Sequence, residues 1–103
     1  MIRARFDDLI HAPTRLSIVS LLAASQWADF QFIRDSVGLS DSALSKQLTT
    51  LEEAGYIDVR KGFVGKRPRT SARLNTIGRA AFEQHVAALQ EIVAKAGASV
   101  LPP

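Results

Sequence analysis

The spacing of apolar positions changes along this chain, and each change marks an element. Leu16, Ile18, Val19, Leu21 and Leu22 cover a wide arc of a helix predicted from Pro13 to Ala24, with proline in the first turn, where its missing N–H has no partner to lose. An arc that wide is buried on two sides, against the domain's own core or against a second subunit. Ile33 and Val37 share one side of a short helix from Gln31 to Val37, capped by Asp29 or a neighbour and stopped by Gly38, with Phe30 and Phe32 adding core volume. Leu44, Leu48 and Leu51 then form a single stripe. Ser40 stands at the N-cap of that helix, Asp41 suits its positive end, and Gly55 closes it in the left-handed conformation.

After Gly55 the period falls to two. Ile57, Val59 and Lys61 alternate with Tyr56, Asp58 and Arg60, and Thr70–Leu74 gives a second short strand with Ala72 and Leu74 on one side. Gly62–Pro68, with two glycines and a proline, reads as a loop between them. Asn75 caps a long helix over about residues 76–96, in which Phe82, Val86, Leu89 and Val93 recur at heptad-like steps. At ~1.5 Å per residue that helix is about 30 Å long and projects past its own core.

The order is helix, short helix, capped helix, hairpin, long helix. It predicts an α+β fold, mainly α: a winged helix-turn-helix with a two-stranded wing and a long C-terminal dimerisation helix. One domain is expected over residues 1–97, followed by a frayed tail at 98–103, where two prolines end the chain.

Composition adds little until it is read by position. The chain has 103 residues, 47% of them apolar, no cysteine and a net charge of +3. No apolar run suggests a membrane span, and the start Met1–Phe6, followed by Asp7-Asp8, lacks the features of a signal peptide, so a cytoplasmic location is expected. Of the thirteen basic residues, six fall at Arg60, Lys61, Lys66, Arg67, Arg69 and Arg73, with no acidic residue between them. Such a cluster points to an anion, most often a phosphate backbone.

The capped helix, about residues 41–54, would enter the major groove of double-stranded DNA. Its small polar residues permit close approach, so that Ser40, Ser42, Ser45, Thr49 and Thr50 can bond to bases or phosphates and Lys46 can reach a guanine edge or a phosphate. The basic wing, residues 60–73, would place Lys61, Lys66, Arg67 and Arg69 on phosphates or in a minor groove. Arg60 or Arg73 could instead pair with Asp58. Dimer contacts are assigned to Leu16, Val19, Phe82, Val86, Leu89 and Val93.

An enzyme is not expected. Asp7-Asp8 reads as a mobile end and Glu52-Glu53, beside a helix terminus, as solvent-facing, so neither makes a catalytic constellation; Ser40 is explained by capping, His11 near Pro13 reads as structural, and Gly62 and Gly65 do not make a phosphate loop. Trp27 reads as a core or interface residue. The competing reading is a winged-helix protein-interaction module using Phe63 and Val64 near the wing tip.

Leu9-Ile10-His11-Ala12-Pro13-Thr14-Arg15-Leu16 resembles the opening of small winged-helix transcription regulators related to the MarR and ArsR families. Leu39–Leu48 resembles their recognition helix, and Leu51–Ile57 their turn into the wing. Lys66–Thr70 and Leu74–Arg79 resemble the wing tip and the start of the last helix. The resemblance covers about residues 5–93. It implies a homodimer on a pseudo-palindromic operator, with base recognition on Ser42, Ser45, Lys46 and Thr49 and wing contacts on Lys66, Arg67 and Arg69. Metal-sensing relatives use cysteine or clustered histidine and acidic ligands; here His11 and His85 are far apart in the sequence, so neither metal nor cofactor is expected. The sequence names no small-molecule effector.

Overall fold

The computed structural model describes residues 4–100. In chain order it contains α1 (Asp8–His11), α2 (Pro13–Ala23), β1 (Ala28–Asp29), α3 (Phe30–Val37), α4 (Asp41–Glu53), β2 (Ile57–Val64), β3 (Arg67–Leu74) and α5 (Thr76–Val100). The core gathers Ile18, Val19 and Leu22 of α2, Ile33 of α3, Leu44, Leu48 and Leu51 of α4, and Ile57, Ala72 and Leu74 of the sheet. The wide apolar arc of α2 therefore serves its own domain. Val19, expected at a dimer contact, is fully enclosed within the protomer and has no surface to offer a second copy. Leu16 is half-buried and borders a shallow groove with Ser20, Leu21 and Val37.

The two helices of the turn are fixed at their ends. Asp29 accepts from the Gln31 N–H at 3.3 Å, Gly38 closes α3, and Ser40 Oγ accepts from the Ala43 N–H at 3.1 Å. Arg34 spans the turn, donating to Asp35 at 2.9 Å and to Asp41 at 2.8 Å. α4 ends in a Schellman pair, Tyr56 N–H to Leu51 carbonyl (3.1 Å) and Gly55 N–H to Glu52 carbonyl (2.9 Å). Gly55 accordingly holds φ +82°, open to glycine at no steric cost. From the other side Arg15 donates to the Leu9 carbonyl at 2.6 Å and to Gln47 of α4 at 3.1 Å. Phe30 packs against the core, but Phe32, expected there too, faces outward with half its surface exposed.

The hairpin is longer than its apolar pattern suggests. Gly62–Pro68, read as a loop, is mostly strand: β2 and β3 pair without interruption from Ile57↔Leu74 to Val64↔Arg67, leaving only Gly65 and Lys66 in the turn. Positive φ on Gly65 (+63°) and not on Lys66 is the type II′ pattern, whose twist matches that of the strands it joins. Pro68 is tolerated because it faces Phe63 in the pair next to the closing one. There the absent N–H would point away from β2, and β1 does not extend that far. A period-two apolar signal could not reveal these outer strands, since their side chains are solvated on both sides. The sheet also has a third strand. β1 pairs Ala28↔Ala72 and Asp29↔Ser71, giving the order β1-β3-β2.

α5 starts from Asn75, whose Oδ1 accepts from the Gly78 N–H at 2.8 Å. The same residue donates from its backbone to the Tyr56 carbonyl at 3.1 Å and from Nδ2 to the Gly55 carbonyl at 2.9 Å. Gly78 rests on the Tyr56 carbonyl so closely that a Cβ would run into that oxygen and come within 2.8 Å of Leu74 Cδ1. The helix continues through Val100, past the expected end near Ala96, so the tail predicted from residue 98 is helical at its start. Leu101–Pro103 lie outside the described residues. Among the described residues no helix is long and apolar enough to cross a membrane.

The two histidines, distant in sequence, meet in the fold. His11 ends α1, a helix the sequence pattern does not signal, and its Nδ1 lies 3.3 Å from Nε2 of fully buried His85 on α5. The Asp7 N–H donates to His85 Nδ1 at 3.0 Å. His85 Nδ1 is thereby an acceptor, so the neutral ring carries its proton on Nε2 and donates to His11. Phe6 packs on both rings at 4.7 Å between centroids. Asp7, expected at a mobile end, caps α1 by accepting from the Ile10 N–H and also accepts from the Tyr56 hydroxyl. That bond, with burial, pushes the Tyr56 phenol up to about 12.

Two stability tests follow from these contacts. Helix propensity favours alanine over glycine by about 1 kcal/mol, yet Gly78→Ala is expected to destabilise by about 2 kcal/mol or more, since backbone must move to admit the methyl. A lowered urea midpoint at unchanged slope is the readout. The second concerns acid. Burial, then the neighbouring His11, holds His85 below the ordinary histidine value of 6.5. Above pH 6.5 folded and unfolded chains both carry the neutral ring, and full stability is present. As the pH falls, the unfolded chain takes up a proton that the buried ring refuses, so stability drops until the ring's own lowered value is reached. The unfolding free energy from urea titrations should fall in the wild type between about pH 7 and pH 5, by up to about 1.4 kcal/mol per pH unit, and fall less in His85→Leu.

Candidate nucleic-acid interface

The buried stripe Leu44, Leu48 and Leu51 turns the opposite side of α4 to solvent. Ser42, Ser45, Lys46 and Thr49 are exposed there. Ser45 and Thr49, together with Glu52 and Leu48, form one wall of a cleft of about 280 Å³, whose other wall is Val59, Lys61 and Thr70 of the hairpin, with Phe30 at its base. α4 and the basic hairpin thus open onto the same side of the molecule. Two predicted contacts are already engaged. Ser40 Oγ is the cap of α4, and Thr50, half-buried on the flank away from the hairpin, donates to the Lys46 carbonyl at 3.0 Å.

The basic residues of the hairpin divide into free and paired. Lys46, Lys61, Lys66 and Arg67 are exposed and make no ion pair among the described residues. Arg69 donates to Asp29 at 3.0 Å while about half of its side chain stays exposed. Arg73 pairs with Asp58 at 3.0 Å, as the sequence allowed. Arg60 and Arg73 also lie over the Trp27 ring, their guanidinium carbons 4.1 and 4.6 Å from its centroid. Trp27 is therefore a half-exposed platform bracing the base of the hairpin, a role no spacing rule in the sequence exposes. Cations already held by carboxylates or stacked on a ring gain less from a phosphate than free ones, so Lys61, Lys66 and Arg67 carry most of the available attraction.

Strand alternation divides the hairpin further. Val59, Lys61 and Phe63 share one side with Ala72, Thr70 and Pro68, the side that faces α4. Arg60, Gly62 and Val64 share the other with Ser71, Arg69 and Arg67. Phe63 and Val64 are both exposed at the outer end. Glu52 enters the cleft from the last turn of α4, an acceptor the sequence reading left on a solvated surface. Among the described residues no group of three or more histidine or acidic side chains is placed to hold a metal ion.

Comparison with known proteins agrees with this geometry. A family model described as a winged helix DNA-binding domain matches residues 14–93. An uncharacterized protein of Methanocaldococcus jannaschii is 26% identical over 78 residues, covering 76% of this chain and 85% of its own. The fold is similar to that of a transcriptional regulator homologue from Pyrococcus horikoshii, with TM-score 0.79 and 23% identity over 85% of this chain and 87% of that one. It is also similar to MepR of S. aureus, solved as a complex with DNA, with TM-score 0.72 and 17% identity over 88% and 74% of the two chains. The chain belongs to the winged helix DNA-binding domain family.

Proposed function

We propose that the protein is a cytoplasmic, homodimeric transcription regulator that binds a pseudo-palindromic site in double-stranded DNA. The observation that carries this reading is the shared cleft: the slim polar surface of α4 faces the side of the hairpin that bears Lys61, and Lys66 and Arg67 stand exposed at the hairpin's outer end, all three without an ion pair among the described residues. α4 enters the major groove, where Ser42, Ser45, Lys46 and Thr49 meet base edges and neighbouring phosphates, and Glu52 can accept from a cytosine amino group. Lys61, Lys66 and Arg67 hold backbone phosphates, with Arg69 contributing from beside Asp29. The DNA complex recorded for MepR supports the assignment by analogy of fold.

Dimerisation is supported by α5. Residues 90–96 of this helix are exposed, with Val93 at 69% and Ile92 at 53%. Phe82 packs partly on the protomer's core, while Val86 and Leu89 are half-buried and continue toward Val93. Leu16, beside its shallow groove, remains available to the same interface. A two-fold dimer would set two copies of α4 about 34 Å apart, one turn of DNA. Reading the fold as a protein-interaction module instead would place a partner on Phe63 and Val64. The free cations around these residues favour a polyanion.

Selection of bound duplexes from a random pool should return two related half-sites about one helical turn apart. Lys66→Ala with Arg67→Ala should weaken binding to every sequence and lower the salt slope by about 2, leaving the selected bases unchanged, whereas Lys46→Ala should alter them. Recovery of no duplex DNA would rule the reading out. In sedimentation, Ile92→Asp with Val93→Asp should turn a wild-type dimer into a monomer and weaken operator binding. A wild type that sediments only as monomer at micromolar concentration would remove the dimer.

A further inference from the structure

Phe63 is the most exposed large apolar side chain among the described residues, at 74%. It lies in a regular strand, so its outward position is set by the register of the hairpin. Across from it stands Pro68, a ring with fixed φ that cannot fold away. The pair Phe63↔Pro68 follows Lys61↔Thr70 and Val59↔Ala72 on one side of the hairpin, and Val59, Lys61 and Thr70 border the cleft with Ser45 and Thr49. At ~3.4 Å per residue, Phe63 sits about 7 Å beyond Lys61 along the strand, outside the cleft yet on the side α4 overlooks. Lys61 lies on the same side of the hairpin, Lys66 in the turn and Arg67 on the opposite side near the tip, all exposed and without an ion pair among the described residues. An aromatic ring set among free cations is matched to a partner with dense negative charge and apolar surface between the charges. A nucleic acid groove, phosphates outside and base edges and sugars inside, has that arrangement.

On the DNA-binding reading above, we propose that Phe63, braced by Pro68, is an apolar wedge that enters the minor groove flanking the site held by α4 and partly unstacks a base step there. Aromatic and proline side chains used this way kink the duplex, and flexible pyrimidine–purine steps yield most readily. The wing then contributes to sequence choice through deformability as well as to affinity through charge. The cations hold the strands on either side of the groove, and the ring tests how easily the step between them opens.

The test uses the full chain and duplexes recovered by selection, with 2-aminopurine placed in turn at each flanking position. Binding of the wild type should raise fluorescence at one step beside each half-site. Phe63→Ala should abolish that rise, weaken binding by about tenfold, remove any preference for flexible flanking steps, and leave the salt slope unchanged. Phe63→Leu, which keeps an apolar wedge, should retain part of the signal. Because the ring is exposed, the urea midpoint should not move with either change. A Phe63→Ala protein with wild-type affinity and flank preference overturns the wedge while leaving DNA binding intact. So does a Phe63→Ala protein whose dimer dissociates in sedimentation when the wild type gives no flank signal, which assigns the ring to a protein contact. A wild type that selects no duplex at all instead removes the DNA-binding reading on which the wedge rests.

Discussion

Asn75 sits where four chain segments meet. Its side chain caps α5, its amide holds the carbonyl of Gly55 at the end of α4, and its backbone N–H holds the carbonyl of Tyr56 at the start of β2, just as β3 ends. The bare Cα of Gly78 lets α5 close against that Tyr56 carbonyl. Recognition helix, hairpin and long helix are thereby fixed through backbone groups, which leave little room to reorient. Orphan donors and acceptors at helix ends must be satisfied somewhere. Here they are satisfied by one another, so the angle between α4 and the hairpin follows from capping, and the cleft between them follows from that angle.

Elements with a strong period were legible in the sequence. The stripe Leu44, Leu48, Leu51 and the caps Ser40 and Asn75 mark α4 nearly to the residue and the start of α5, because apolar periodicity and capping act locally. What escaped was set by tertiary contact. β1 is two residues long and exists because Ala72 and Ser71 present a free strand edge. α1 is four residues, held by the Asp7 cap and the buried His85 ring. The outer hairpin, Gly62–Pro68, lacks apolar alternation because both of its sides meet solvent, so glycine and proline there read as a loop. Val19 lay on a wide arc that fits an interface as well as a core, and only the packing of α2 against the sheet and α4 decides between them. The site was legible in its parts. Its division into free and paired cations was not, since Arg69–Asp29 spans forty residues of sequence.

That division shapes the electrostatics. Asp29, which caps α3, also holds Arg69, and Asp58, which helps fix Asn75, holds Arg73. These exposed pairs add little stability on their own. Their effect is to order the inner hairpin against the domain, together with Trp27 between Arg60 and Arg73. Lys61, on the side that faces α4, and Lys66 and Arg67, at the outer end, keep their charge for an external anion. A basic run that looked uniform in sequence is therefore divided in space: Arg60, Arg69 and Arg73 are braced on one side of the hairpin, while Lys61 on the other side and Lys66 and Arg67 at the tip are free.

The hairpin register is what keeps these functions apart. A shift of one residue between β2 and β3 would turn one strand over relative to the other, moving Arg67 and Arg69 toward α4 if β3 slipped, or carrying Phe63 away from it if β2 did. Two features oppose such a slip. At the base, Ile57 on β2 and Ala72 and Leu74 on β3 are buried, and the strand that slipped would turn its own out of the core. At the tip, the II′ turn needs positive φ at its first position, which Gly65 accepts and its neighbours Val64 and Lys66 would resist. The apolar base and the glycine turn thus specify one pairing from opposite ends, and that pairing sets which side chains the hairpin presents beside α4.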